Sequence, residues 1–269
     1  MNRYERLPTP QGVGPGQTAT LNLPLGPTYH RFDLRMNVQK SGSEHLIGPD
    51  EWSDYVDDVR VIVDGDTKIE ATADYLAKRA KFFGKAPTPG NLPVFLDMPW
   101  AQTIGGQDQT AYGTAGGMAS FTLEFDIKDN VQVNKARVFA VQSAPRPFGP
   151  HLRISRFARS YAVTGVDEIS DLPRGGYQLL GLDVTSADVD EIEIFANNNR
   201  THVSDPVARD QILIVADRNP QAGMTHLDLM DQGRVNQTLP MALQDFRVRL
   251  DFTSQPGAYT IYAAGIHGA

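Results

Sequence analysis

The feature that most limits how this chain can fold is a pattern that occurs twice in it. Residues 57–67 read DDVRVIVDGDT and residues 190–200 read DEIEIFANNNR. Each begins with an acidic pair, continues with apolar residues at alternate positions and ends in polar turn residues. Such alternation is typical of a β-strand with one buried face, and the polar residues after it are typical of a hairpin turn. The repeat indicates that the two halves of the chain hold related strands.

Other parts of the two halves match in the same order. TYHRFDLRMNV aligns with GYQLLGLDVTS through Tyr29 and Tyr177, and the repeated pattern aligns Asp58 with Glu191. The later matches are the helix starts at Thr72 and Ser204, VFLDMPW with THLDLMD through Asp97 and Asp228, ASFTLEFDI with QDFRVRLDF through Phe121 and Phe246, and the closing strands ARVFAVQS and AYTIYAAGI. Matches in one consistent order indicate a tandem duplication of a single unit.

Each copy reads as a series of short strands with one short helix, and the 24 Gly and 18 Pro residues of the chain lie between the apolar runs. This order favours an all-β protein, a double jelly roll made of two tandem antiparallel β-sandwiches with short helices in the loops. Fewer strands can be counted in each copy than the eight of a jelly roll. The missing strand of the second copy is placed in LRISRFARSYAVTG, and the first copy offers no counterpart.

A Pro-rich segment separates the two halves. SAPRPFGP, at residues 143–150, has the composition of a stiff connector between domains. We therefore predict a first jelly roll over residues 1–142, a linker over 143–150 and a second jelly roll over 151–269. In the first half, the polar residues 39–52 are interpreted as a surface loop, and the Gly-rich residues 101–117 as a long flexible loop.

The composition excludes several classes of protein. The chain has 269 residues, no Cys and a net charge of −7, so disulfides and thiolate metal sites are ruled out. Lys and Arg are not clustered as they are in a nucleic-acid-binding arm. Arg3 and Arg6 give a weakly basic tip, interpreted as a solvated terminus, with contact to an anionic surface as the alternative. The first residues lack the apolar core of a signal peptide, which predicts synthesis in the host cytoplasm without secretion.

No catalytic motif stands out in the sequence. The histidines form no i, i+4 pair and no HExxH motif, and there is no GxSxG nucleophile elbow. His226 and Asp228 come closest to a metal-binding spacing and are interpreted as a strand-edge histidine and its neighbour. Glu191 and Glu193 share a solvent face, whereas acid–base use would require burial of one of them. The sequence therefore predicts a protein without enzymatic activity.

One turn is a weak metal candidate. Asp64 and Asp66 flank a Gly in DGD, and clustered carboxylate oxygens suit Ca²⁺. The spacing is not that of an EF-hand, and the matching turn of the second copy is rich in Asn. A simple turn whose side chains accept backbone hydrogen bonds is the favoured interpretation, and a metal ligand is the alternative.

Three segments carry a resemblance to a known family: GQTATLNLPLGPTYHRFDLRM, EISDLPRGGYQLLGLDV and QDFRVRLDF. They are similar to elements of the major capsid protein of corticoviruses, which are tailless icosahedral phages with an internal membrane. The similarity extends over nearly the whole chain. Residues 39–52 and 104–117 depart from the family pattern.

The resemblance implies a double jelly-roll major capsid protein of the virion that forms homotrimers. Three chains with two similar rolls each present six similar edges, so a pseudo-hexagonal trimer fits a position with six neighbours in an icosahedral shell. The implied partners are neighbouring trimers, penton and membrane proteins of the virion, and a lipid membrane beneath the shell, without direct contact to nucleic acid. Calcium-assisted stability is also implied, but the resemblance assigns no calcium ligand to a residue.

Two other functions stay open. A β-sandwich protein could bind glycans or recognise a host, as a lectin or a spike does. Such a site would use exposed aromatic residues, and Trp52, Trp100 and Tyr112 lie in or beside loops, although the two Trp residues are interpreted first as partial core residues. A hydrolase that uses loop carboxylates is the third alternative.

Overall fold

The structure, a computed structural model, describes residues 2–268 and divides into two compact units. The units are Met1–Ile154 and Ser155–Ala269, so the boundary falls inside the strand His151–Tyr161. This boundary lies C-terminal to residues 143–150, where the linker is expected from the sequence. Both units consist mostly of antiparallel strands with short helices between them, which confirms the prediction of an all-β protein.

The first unit contains two sheets. Its strands before the boundary strand are β1 (Arg3–Arg6), β2 (Thr18–Asn22), β3 (Thr28–Lys40), β4 (Ser43–Leu46), β5 (Val56–Val63), β6 (Asp66–Thr72), β7 (Asn91–Phe95), β8 (Tyr112–Gly113), β9 (Phe121–Ile127) and β10 (Val133–Ser143). In one sheet β10 lies between β1 and β3, and β4, β7 and β8 pair with successive parts of the free edge of β3. The other sheet has the order β2-β9-β5-β6.

Aromatic side chains join the two sheets of the first unit. The Phe121 ring on β9 lies 5.3 Å from the Tyr29 ring and 5.8 Å from the Phe32 ring, both of which are on β3. All three side chains are buried, and β9 alternates buried with partly exposed residues along its length. The alternation read from the sequence therefore gives one buried face per sheet, and the two faces pack as a sandwich.

The second unit repeats this arrangement. Its strands are β11 (His151–Tyr161), most of which belongs to it, β12 (Gly165–Ile169), β13 (Tyr177–Val184), β14 (Val189–Ala196), β15 (Asn199–Ser204), β16 (Thr225–Asp228), β17 (Leu239–Pro240), β18 (Phe246–Phe252) and β19 (Gly257–His267). One sheet places β19 between β11 and β13, with β16 and β17 on the other edge of β13, and the second sheet has the order β12-β18-β14-β15. A single apolar core includes residues of both sheets.

The pairing confirms the predicted duplication. Each strand of the first sheet pair has a counterpart in the second, apart from β4, for which the described residues of the second unit offer none. The register agrees as well, because Phe121 pairs with Val63 at the end of β5 and Phe246 pairs with Ala196 at the end of β14. Both units therefore have the two-sheet arrangement of a jelly roll.

The strand placed in LRISRFARSYAVTG is β11, and its counterpart in the first unit, for which the sequence offered no candidate, is β1. Each lies beside the last long strand of its unit, β10 or β19. The interpretation of Arg3 and Arg6 as a solvated terminus was wrong for the backbone, which pairs with β10, although the side chains are exposed. The Tyr4 ring also stacks on the Phe139 ring at 5.3 Å.

Two matching hairpins use two-residue turns. β5 and β6 are joined by Asp64 and Gly65, with φ of 50° and 81°, and β14 and β15 by Asn197 and Asn198, with φ of 50° and 64°. Two successive residues with positive φ form the turn that matches the twist of a hairpin, and Asp, Asn and Gly are the residues that tolerate it.

Each unit has one helix after its hairpin. Helix α1 (Ala73–Phe82) begins, as predicted, after Thr72, whose side chain accepts a hydrogen bond from the Tyr75 N–H. A shorter helix, α2, spans Ile104–Asp108. Helix α3 (Pro206–Val215) has Asp205 as its N-cap, not the predicted Ser204, because it is the Asp205 side chain that accepts a hydrogen bond from the N–H of Ala208 in the first turn. No helix of residues 2–268 is long and apolar enough to cross a bilayer.

The two predicted loops of the first unit are more regular than expected. Residues 39–52 contain β4, which forms a hairpin with the end of β3. Residues 101–117 contain α2 and β8, so they are not a continuous irregular loop. α2 escaped prediction because Gly105 and Gly106 disfavour a helix, whereas the Thr103 side chain caps it by accepting a hydrogen bond from the Gly106 N–H at 3.1 Å.

Candidate functional site

A buried histidine and two aspartates meet at one edge of the first unit. The N–H groups of Leu96 and Asp97, which follow β7, both donate to the carbonyl of His30 on β3, at 2.9 and 3.1 Å. This backbone pairing brings the Asp97 side chain to the imidazole, with 3.0 Å between Asp97 Oδ2 and His30 Nδ1. Both side chains are largely shielded from solvent.

The third member of this cluster comes from α2. Asp108, the last residue of that helix, places Oδ1 3.5 Å from His30 Nδ1, and its side chain is 52% exposed. On the other side of the ring, His30 Nε2 lies 2.8 Å from the hydroxyl of Ser143. Burial raises the pKa of Asp97, and the nearby Asp108 adds to this, whereas the hydrogen bond to His30 opposes it. We call these three side chains the His30 cluster.

The second unit has a histidine–aspartate pair on the corresponding strands. His226 Nδ1 on β16 lies 2.7 Å from Oδ1 of Asp183 on β13, and both side chains are buried. The N–H of Gln221 donates to His226 Nε2 at 3.3 Å. Because that nitrogen accepts a hydrogen bond, the proton is on Nδ1 and is donated to Asp183.

The sequence motif formed by His226 and Asp228 does not become a site. Asp228 instead pairs with Arg218, with Oδ2 2.7 Å from Nε, and both side chains are buried. The sequence search missed the His30 cluster because its members lie on β3, after β7 and on α2, far apart in the chain. The only local signal was a histidine inside the buried stretch TYHRF.

Asp64 and Asp66 lie in the β5–β6 turn and at its exit. Oδ1 of Asp64 accepts hydrogen bonds from the N–H groups of Ala119 and Ser120, at 2.8 and 2.6 Å. These hydrogen bonds, from Ser120 first and then from Ala119, hold the pKa of Asp64 below its ordinary value. Asn197 Oδ1 has the same role in the second unit, where it accepts from the N–H groups of Gln244 and Asp245, at 2.8 and 3.2 Å.

The carboxylate of Asp66 contacts cations of the protein. Burial opposes its ionisation, but Lys68 at 2.7 Å and Arg153 at 3.1 Å outweigh that effect and lower its pKa. The neutral Asn197 accepts the same backbone hydrogen bonds in the second unit as Asp64 does in the first. The role of Asp64 in its turn therefore does not require a bound metal. The hypothesis of a metal at Asp64 and Asp66 stays a prediction.

Calcium fits these side chains poorly within one chain. Ca²⁺ is bound by six to eight oxygen ligands. In residues 2–268, the His30 cluster is the only group of three His, Asp or Glu side chains whose ligand atoms converge, and one of its ligand atoms is an imidazole nitrogen. The described part of a single chain thus brings no three carboxylates together.

One carboxylate of each acidic pair predicted on a strand, Asp57 and Glu193, takes part in ion pairs. Asp57 lies 3.2 Å from Lys128, and Glu193 contacts Arg200 at 2.8 Å and Arg249 at 3.7 Å. Carboxylates engaged in ion pairs with neighbouring cations suit a structural surface more than general acid catalysis.

The aromatic residues considered for glycan binding are mostly inside the protein. Trp52 and Tyr112 are completely buried, and the Tyr112 hydroxyl donates to the Leu152 carbonyl at 2.5 Å. Trp100 is partly exposed and stacks on Phe83, with 3.8 Å between the ring centroids. These side chains therefore do not form an open aromatic platform for a sugar.

The surface of the second unit has an exposed apolar face on α3. Its exposed apolar residues are Val207 (81%), Ile212 (41%), Ile214 (61%) and Val215 (76%), and only Arg209 and Leu213 are buried. In contrast, most residues of α1 in the first unit are buried. Contiguous apolar side chains on a surface are typical of a contact with another protein.

Comparisons with known proteins agree with the duplicated fold. Residues 4–143 match the family model described as viral coat protein P2 N-terminal domain, and residues 151–268 match the model described as viral coat protein P2 C-terminal domain. No curated protein sequence matches the chain significantly.

Several solved structures are similar over almost the whole chain. The crystal structure of the major capsid protein P2 from bacteriophage PM2 has a TM-score of 0.86 and 22% identity, covering 99% of this chain and 97% of that one. The structure of Sulfolobus turreted icosahedral virus gives a TM-score of 0.70 at 14% identity, with 98% and 90% covered. The PBCV-1 virus capsid gives 0.67 at 10% identity, with 99% and 93% covered. These likenesses confirm the double jelly-roll fold.

Proposed function

The chain belongs to the viral coat protein P2 family, and from this premise we propose that it is the major capsid protein of an icosahedral virion and assembles as pseudo-hexagonal homotrimers. The two family models together cover both units of the chain. As a viral coat protein, it is a component of the virion capsid. The resemblance seen in the three sequence segments is thereby confirmed.

The observation that carries the proposal is the repeated topology of the two units. Each pairs its strands in the same order along the chain, apart from the additional strand β4 of the first unit. A closed trimer of such chains holds six similar rolls and can contact six neighbours in a shell, although its true symmetry is threefold. A monomeric enzyme or lectin has no need of this near-sixfold symmetry.

The exposed face of α3 supports assembly into larger structures. Its exposed residues Val207, Ile214 and Val215 are apolar, and a coat protein is surrounded by further copies of itself. We infer that a second copy covers this face in the assembled shell. Burial of a Val or Ile side chain contributes about 1.5–3 kcal/mol, so the face can contribute usefully to an interface.

The remaining partners follow from the family resemblance. We propose penton and membrane proteins of the virion as neighbours, and a lipid membrane beneath the shell. The net charge of −7 and the dispersed cations support a chain that does not contact the genome directly. The use of surface carboxylates in ion pairs supports a structural role without enzymatic activity.

Size measurement and imaging of the purified full-length protein test the proposal. We expect light scattering to give three times the chain mass of 29.5 kDa, and negative-stain images to contain particles with a near-hexagonal outline. A protein that stays monomeric at high concentration would contradict the trimer. Turnover of a glycoside or ester substrate by the same sample, abolished by a carboxylate substitution, would contradict the non-enzymatic role.

A further inference from the structure

We propose that His30, Asp97 and Asp108 form a binding site for one divalent transition-metal ion of the Zn²⁺ class, in which Ser143 orients the histidine. The site lies entirely within the first unit, and it is independent of the trimer proposed above.

The distances between the ligand atoms fit such an ion. The ligand atoms of the three side chains all lie within 4.8 Å of one another. His30 Nδ1 is 3.0 Å from Asp97 Oδ2 and 3.5 Å from Asp108 Oδ1. A tetrahedral ion with bonds of about 2.1 Å places its ligand atoms about 3.4 Å apart. Only small side-chain movements are therefore needed to accept the ion.

The hydrogen bond at the far side of the ring permits the required tautomer. A metal at Nδ1 needs the lone pair there and the proton on Nε2. The Ser143 hydroxyl, 2.8 Å from His30 Nε2, can accept that proton, since a hydroxyl is both donor and acceptor. Ligating histidines commonly donate their other ring N–H to such a partner, which fixes the orientation of the ring.

The pair in the second unit provides an internal contrast. His226 Nε2 accepts from the Gln221 N–H at 3.3 Å, which keeps the proton on Nδ1 and directs it to Asp183. A protonated Nδ1 cannot bind a metal. The described residues of that unit also bring no third His, Asp or Glu ligand to the pair. The two units thus differ in the number of ligands, and the hydroxyl beside His30 Nε2 can accept a proton that the backbone N–H beside His226 Nε2 cannot.

Charge and chemistry favour a transition metal over Ca²⁺ or Mg²⁺. A neutral imidazole with two carboxylates carries a charge of −2, which a divalent ion balances in a site where the His30 and Asp97 side chains are only 4% and 13% exposed. Imidazole ligands suit Zn²⁺, Cu²⁺, Ni²⁺ and Fe²⁺, whereas Ca²⁺ and Mg²⁺ favour oxygen ligands. The exposure of Asp108 leaves an open side, where water can complete the coordination.

The ion would join three separate segments of the first unit. His30 is on β3, Asp97 follows β7 and Asp108 ends α2, whose two Gly residues make it a weak helix by itself. Binding would therefore fix α2 against the sheet and stabilise the unit against unfolding. The role is structural, like that of other metal ions that connect distant parts of a chain.

Metal titration of the full-length protein tests this proposal. The protein is treated with a chelator, dialysed and titrated with Zn²⁺, with Co²⁺ as a spectroscopic substitute and with Ca²⁺ in parallel. We expect one Zn²⁺ or Co²⁺ per chain, a visible Co²⁺ spectrum and a higher melting temperature with Zn²⁺ but not with Ca²⁺.

Two variants and a control show where the ion binds. Asp108→Asn removes a half-exposed ligand and should leave the fold intact while weakening binding by about 100-fold or more. Ser143→Ala should weaken it by about tenfold, within the range of outer-shell partners. Asp66→Asn, in the turn first considered from the sequence, should bind as the unsubstituted protein does. The proposal is overturned if the unsubstituted protein takes up no stoichiometric ion, if Asp108→Asn binds equally well, or if Asp66→Asn loses binding.

Discussion

The two jelly rolls share one strand order but differ at their surfaces. In the first roll, α1 is mostly buried, and Phe83 beyond its end stacks on Trp100. In the second roll, the corresponding helix α3 exposes Val207, Ile214 and Val215. The duplicated strands have kept the same packing, whereas the helix that follows the hairpin has changed its environment. This difference teaches that the core determines the fold of each roll, and that loops and helices are free to take on separate roles in assembly.

The histidine–aspartate pairs show the same divergence inside the protein. His30 is on β3 and its partner follows β7, whereas in the second roll the aspartate is on β13 and His226 is on β16. The two residue types have exchanged strands while both pairs stay buried. A buried histidine or aspartate needs a hydrogen-bond partner, but it does not matter which of the two strands carries which residue. Either arrangement therefore satisfies both side chains.

The largest expected effect is on the free energy of unfolding, when one buried ring is removed from the core of either roll. Phe121→Ala and Phe246→Ala remove equivalent buried rings, and each should lower the free energy of unfolding by about 3–5 kcal/mol. We expect hydrogen exchange to increase in the strands of the substituted roll only. Equal acceleration in both rolls for either variant would show that they unfold as one cooperative body and would break the comparison.

The next effect concerns the exposed face of α3. Ile214→Lys should reduce assembly by tenfold or more, because a charge replaces an apolar side chain whose burial is worth about 1.5–3 kcal/mol. Sedimentation of the purified protein measures the assembled fraction. Gln232→Lys is the control, since Gln232 is already polar and exposed and lies outside α3. If both variants assemble like the unsubstituted protein, the face is not an interface between copies.

A smaller loss of stability is expected when the N-cap side chain of α1 or α3 is removed. Thr72→Ala and Asp205→Ala each remove a side chain that accepts a backbone N–H at the first turn, and each should cost about 1 kcal/mol. Denaturant unfolding measures the loss. Ser204→Ala tests the cap predicted from the sequence and should leave α3 unchanged by hydrogen exchange. A larger effect on α3 from Ser204→Ala than from Asp205→Ala would contradict the assignment of the cap.

The smallest expected effect is a change in amide exchange in the β3–β4 hairpin. The described residues of the second roll contain no counterpart of this hairpin. The hydrogen bond from the Gly48 N–H, with those from His45 and Lys40, lowers the pKa of Glu51 to about 2. A lowered pKa in the folded state adds stability above the ordinary pKa of a glutamate, and this contribution is lost as the pH falls towards 2. We expect amide exchange in β4 to increase over that range.

The matching variant of this hairpin is Glu51→Gln. It should show the faster exchange already at neutral pH and little further change on acidification. If β4 in the unsubstituted protein is equally protected at low and neutral pH, Glu51 does not hold the hairpin.

The sequence was sufficient to predict the elements with a buried face. β5, β9, β14 and β18 alternate apolar and polar residues, and burial of one face requires that alternation. The match of Phe121 with Phe246 was correct because strand register in a sandwich is fixed by the same burial. Thr72 was correct as a cap because its side chain accepts the Tyr75 N–H of the first turn, as a Thr at this position is expected to do.

Other elements left no such pattern in the sequence. All four residues of β1 have exposed side chains, so no alternation marks this strand, and its pairing with β10 consists of backbone hydrogen bonds and the stack of Tyr4 on Phe139. The His30 cluster depends on contacts between distant segments, for which no local spacing rule exists. The Asp205 cap was missed by one residue because Ser and Asp are both good caps, and only the first residue of α3 decides between them.

The two-residue turns of the hairpins have a consequence for engineering this protein. At each turn, two residues with positive φ set the register, and the side chain of Asp64 or Asn197 is anchored to the start of a neighbouring strand. A foreign peptide inserted in either turn would break these hydrogen bonds. A shift of the next strand by an odd number of residues would also move its buried side chains to the solvent face. Display of an epitope on such a particle should therefore avoid these turns.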